Sequence, residues 1–148
     1  MESGYKKFAV IIIINTGLMF LLTYTMIAEP GHFVFSINKL YMALIMVAAM
    51  NIVMLTVMRS MFKDKKKNFF IYGVLVIILG LSFAFLRTQT PVGDQLFLRS
   101  MIPHHSAAIL ICERARLSDP EVITLCEQII EAQREEIAQM QEIIERTR

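Results

Sequence analysis

Residues 69–94 read FFIYGVLVIILGLSFAFLRTQTPVGD, and the change of character at Arg87 decides the fold. Phe69 to Leu86 is a run of 18 uncharged, mostly apolar residues, followed at once by an arginine and the turn-forming stretch TQTPVGD. About 20 apolar residues in a helix cross about 30 Å of hydrocarbon, so this run is predicted to span a membrane. Two more runs of this kind lie upstream, Phe8 to Ala28 (21 residues) and Leu40 to Met58 (19 residues). The chain has 148 residues, 55% hydrophobic and only 19% charged, which is too apolar for an ordinary soluble domain of this size. Three transmembrane helices follow. The first run is longer than a secretory h-region, and TMIAEP lacks a small-x-small cleavage pattern, so it is expected to be retained.

Downstream of Leu86 the composition inverts. Arg87 to Arg148 holds ten acids, seven arginines and no lysine, with isoleucines at helical spacing, which describes a water-facing domain. The connection RSMFKDKKKN, residues 59–68, carries five cations against one aspartate. The net charge of +2 therefore averages two opposite regions and gives no reason to expect nucleic acid as a partner. Short lysine- and arginine-rich loops stay in the cytoplasm, so this loop and the amino terminus with Lys6 and Lys7 are expected inside, and the acidic carboxy-terminal region outside. The domains read as a three-span membrane domain over 1–86, a linker over 87–93 and an extracytoplasmic helical domain over 94–148. Membrane lipid is the first partner.

Within the spans, Asn15 and Asn51 lie seven residues from the cytoplasmic ends of antiparallel helices, so a hydrogen bond between them is expected. The second span repeats methionine every fourth residue, at Met42, Met46, Met50, Met54 and Met58. Thioethers suit Cu(I), which makes the ladder a candidate membrane copper path. The MxxxM spacing resembles that of eukaryotic copper-uptake channels, although those run the opposite way through the membrane. Adaptable packing is the plainer reading of the same stripe.

In the water-facing region Asp94 reads as a helix N-cap, and Leu98, Met101, His105, Ala108, Cys112 and Ala115 follow helical spacing. Pro103 is expected to kink or restart this helix. SDPEV supplies a second start, with Asp119 as cap and Pro120 in the first turn. The second helix has a seam of Ile123, Cys126, Ile130, Gln133, Ile137, Met140 and Ile144, alternating by three and four residues as a two-helix contact requires. Folded back, the two helices set Cys112 against Cys126, His105 against Gln133 and Leu98 against Met140. Met101, His104, His105 and Met140 could then share one small volume, a nitrogen and sulfur set suited to copper, with Cu(I) favoured. The alternative is surface or core histidine with methionine as filler. Cys112 and Cys126 are candidates for a disulfide, for free thiols or for additional metal ligands. His32, the one remaining histidine, would lie on the same side as a further candidate ligand, or would simply be solvated.

From Asp94 to Met140 the order Asp94, Phe97, MIPHH, Ala108, DPEV, Gln133, Ile137 and Met140 resembles the bacterial family known as domain of unknown function three hundred and five. The resemblance covers about a third of the chain and implies a ferritin-like helical fold. It also implies secretion or membrane anchoring, and copper binding through Met101, His104, His105 and Met140. Longer relatives often hold two such hairpins, and this chain has one; within residues 94–148 no Glu-x-x-His supports a di-iron site.

The expected architecture is therefore all-α, with three transmembrane helices followed by an extracytoplasmic two-helix hairpin, half of a ferritin-like four-helix bundle. A second copy would complete the bundle, since one seam buries too little apolar surface to stand alone; docking on the chain's own membrane loops is the other way to cover it. The expected location is a bacterial inner or plasma membrane with the amino terminus cytoplasmic. The expected function is copper sequestration or handover outside the membrane. The alternatives are a metal-free assembly protein with a protein partner, and a small copper channel. HExxH, the Walker phosphate loop and the Gly-rich dinucleotide fingerprint are missing from the sequence, so an enzyme is not expected.

Overall fold

The computed structural model describes residues 2–147, and among them it is all-helical, with five α-helices and no strand. These are α1 (Glu2–Leu22), α2 (Ile37–Val57), α3 (Lys65–Thr88), α4 (Asp94–Arg114) and α5 (Pro120–Arg146), with a short 3₁₀ turn at Pro30–His32. The first three helices are long and apolar enough to cross a membrane. Their outward side chains agree: Ile13 is 71% exposed and Phe69 81%, surfaces that hydrocarbon accepts and water does not.

The chain forms two compact units. One comprises residues 1–23 and 38–91, the other 24–37 and 92–148. The sequence reading placed the 24–37 loop with the membrane spans, whereas its contacts group it with α4 and α5.

In the first unit the core cluster is Phe8, Leu55 and Phe62, flanked by Tyr5, Ile12, Met54, Met58, Ile71 and Tyr72. It therefore gathers the start of α1, the end of α2 and the start of α3, as antiparallel neighbours require. Tyr5 donates to Asn68 Oδ1 at 2.8 Å, and Asn68 Nδ2 donates to the Phe62 carbonyl at 2.7 Å. Asp64 caps α3 by accepting from the amides of Lys66 and Lys67, each at 3.1 Å. The expected Asn15–Asn51 bond does not form. Asn51 is buried, its Nδ2 donates to the carbonyl of Val47 one turn back at 2.8 Å, and its Oδ1 has no hydrogen-bond partner. The local backbone carbonyl captures the amide before a neighbouring helix can.

In the second unit α4 and α5 run in opposite directions along one another. Gln95 donates to Thr147 at one end, Arg134 pairs with Glu113 at 2.8 Å further along, and Cys112 is disulfide-bonded to Cys126 beside the turn. Asp119 caps α5 by accepting from Glu121 and Val122, with Pro120 in the first turn. Asp94 is not a cap: Gly93 occupies that position and Asp94 lies in the first turn, where its charge still favours the positive end of the helix. Nor does Pro103 restart the helix. It is buried inside a continuous α4, which forgoes the hydrogen bond its missing amide would make.

The core of this unit is Ile102, Ile109, Ile137 and Met140, with Leu98, Met101, Ile130 and Ile144 packed against it. Ala28 and Val34 of the 24–37 loop join the same cluster. This moves the buried side of α4 away from the seam expected from spacing, towards Ile102, Ser106 and Ile109, because α4 meets the loop as well as α5.

Candidate metal centre

His104 and His105 occupy successive positions at the middle of α4, so a step of about 100° around the helix separates their side chains. The result is asymmetric: His104 is exposed, whereas His105 is turned towards α5 with its side chain only 14% exposed. Their ring centroids lie 6.1 Å apart. His105 Nδ1 approaches Glu136 Oε2 to 2.9 Å, close enough for an ion pair but not aligned as a hydrogen bond. Glu136 also accepts from Gln133 Nε2 at 3.3 Å. His105 thus faces Glu136 with Gln133 beside it, about one turn from the register expected from the sequence.

Burial pushes the His105 pKa below the ordinary imidazole range. The Glu136 carboxylate opposes that shift and the neighbouring His104 adds to it. A neutral imidazole is the form that offers a nitrogen lone pair to a metal.

Met140 is buried in the cluster between α4 and α5, and Met101 packs against the same cluster. The two thioethers thus border one apolar core, and Met101 lies one helical turn before His105. Among the described residues no group of three or more His, Cys, Asp or Glu comes together in a way that could hold a metal. Any metal set here would depend on the methionines.

Cys112 and Cys126 are joined in a disulfide, so neither is a thiolate available to a metal in this state. His32 is not solvated. It is buried, with Nδ1 2.8 Å from Ser106 Oγ, and the same hydroxyl accepts from the Ala28 amide at 2.8 Å. Ser106 therefore ties the loop to α4 at a fully buried point, which makes it a structural fastener rather than an exposed nucleophile. The loop is also tied to itself: Tyr24 donates to the Val34 carbonyl at 2.8 Å and accepts from the Ser36 amide at 2.9 Å.

In the membrane unit Met42, Met46 and Met50 are exposed, while Met54 and Met58 pack against the Phe8, Leu55 and Phe62 cluster. The ladder drifts around α2 as a stripe of changing environment.

Sequence reasoning missed Glu136 and the fastening role of Ser106. Glu136 sits in REEIAQM as one acid among several, and only its meeting with His105 distinguishes it. Ser106 and His32 are 74 positions apart, so no local pattern links them.

Residues 83–144 match the family described as Domain of unknown function (DUF305). Over 111 residues the chain is 33% identical to an uncharacterized protein, L153, of Acanthamoeba polyphaga mimivirus, covering 74% of this chain and 71% of that protein. No solved structure matches.

Proposed function

The chain belongs to one family with the mimivirus protein L153 and carries a match to the domain of unknown function DUF305, and we propose that it is a membrane-anchored copper-binding protein that sequesters or hands on copper. In this reading Met101 and Met140 supply sulfur, and His104 and His105 supply nitrogen. Copper is the cargo, and Cu(I) suits a set with two thioethers. The observation that carries the reading is the placement of Met101 and Met140 against one core, with the largely buried, neutral-leaning imidazole of His105 one turn from Met101. With Glu136 Oε2 2.9 Å from Nδ1, a small turn of either side chain would make the carboxylate–histidine pairing common behind metal-bound histidines and leave Nε2 as the lone-pair donor.

The same reading places the amino terminus in the cytoplasm and α4 and α5 outside a bacterial inner or plasma membrane, from the charge of the 59–68 loop. The helix pair is then an extracytoplasmic hairpin, half of a ferritin-like bundle that a second copy completes. The loop covers part of the free side through Ala28 and Val34, so the remaining contact falls to exposed apolar residues near the turn, Ile111, Val122 and Leu125. Those residues also favour the second reading, a metal-free assembly protein. Metal analysis of the intact protein, loaded with Cu(I) and washed, separates the two. Retained copper that is lost on replacing both His104 and His105 by alanine supports the first reading, and no retained copper overturns it.

A further inference from the structure

Between α1 and α3 two adjoining open grooves share Tyr5, Phe70 and Ile71. The one nearer the start of α3 is bounded by Lys66 and Lys67. The other continues along the helices over Ala9, Ile12, Val74, Leu75 and Ile78 without a single charged side chain. A cationic mouth joined to an apolar trough fits an amphiphile with an anionic head. The polar groups around the mouth are largely committed to the fold: Tyr5 to Asn68, and the Asp64 carboxylate to the α3 amides. Lys67 lies over the Tyr5 ring at 5.5 Å and 3.9 Å from Asp64, an exposed pair too weak to hold it against a phosphate.

We infer that this groove binds one anionic phospholipid, its phosphodiester on Lys66 and Lys67 and an acyl chain along α1 and α3. The inference rests on the membrane-spanning character of these helices and is independent of the copper reading. A free phosphate would use the lysines alone and leave the trough without a role. Basic pockets between membrane helices are suited to such headgroups, and each lysine near an anionic surface contributes several-fold in binding.

The test is native mass spectrometry of the full chain in mild detergent, titrated with phosphatidylglycerol or with phosphatidylcholine of the same acyl chains. The expected result is one phosphatidylglycerol per chain in preference to phosphatidylcholine, undiminished by inorganic phosphate. Replacing both Lys66 and Lys67 by glutamine should weaken it on the order of twentyfold. Replacing Lys63 and Lys65, which carry equal charge outside the groove lining, should leave it largely intact. Ala9→Phe, which fills the trough and keeps both lysines, should weaken it as well. Equal binding of the two lipids by the unmodified protein, competition by inorganic phosphate, equal loss in both lysine pairs or indifference to Ala9→Phe would each overturn the assignment.

Discussion

His105 is the side chain whose surroundings constrain the proposed chemistry most. Its folded pKa lies below that of an unfolded imidazole because burial outweighs Glu136. The folded state then binds fewer protons than the unfolded chain between those two values, so stability rises with pH across that window. The contribution is present above the ordinary imidazole pKa and is lost as pH falls through the lower folded value. Thermal melts of the metal-free protein from pH 7 down to pH 5 should show His105→Gln with a shallower loss than the parent; parallel curves would contradict this. Ser106→Ala removes the partner of both the Ala28 amide and His32, and should destabilise the second unit by about 1–3 kcal/mol in detergent melts. Chemistry at this scale was only partly legible. MIPHH and Met140 stand out by residue type, whereas the burial of His32 and the capture of Asn51 by Val47 depend on where a side chain turns, which spacing does not report.

Helices were the most legible feature, because an uncharged run long enough for hydrocarbon and a cap such as Asp119-Pro120 both act locally. Their edges and faces were less so. The first apolar run extends to Ala28, but α1 ends at Leu22, since Tyr24 turns into the loop and is held there by Val34 and Ser36. Spacing identified the apolar side of α5 but displaced that of α4, whose burial is shared with a loop about 70 residues upstream. At this scale Ile137→Ala should cost about 2–5 kcal/mol, because it opens a cavity in the small core of Ile102, Ile109 and Met140. Replacing Cys112 and Cys126 by serine removes a cross-link between residues 14 apart, and should lower stability by about 3 kcal/mol. Melts with and without reductant check it: reductant should destabilise the parent and leave the double variant unmoved.

For the whole molecule, the charge of the 59–68 loop predicts that Lys65 faces the cytoplasm and Ser118 the opposite side. Single cysteines at these positions, in a chain lacking Cys112 and Cys126, should be labelled by an impermeant reagent at residue 118 and protected at 65; the reverse pattern would invert the topology. The proposed copper binding would draw on the methionines of two helices and the histidines of one. The most direct measurement is a competition titration of the full chain against a Cu(I) chelator, repeated with Met101, His104, His105 and Met140 each replaced by alanine. Stoichiometric Cu(I) binding is expected for the parent, with weaker binding in every variant. No competition by the parent, or affinity unchanged in all four variants, would contradict it.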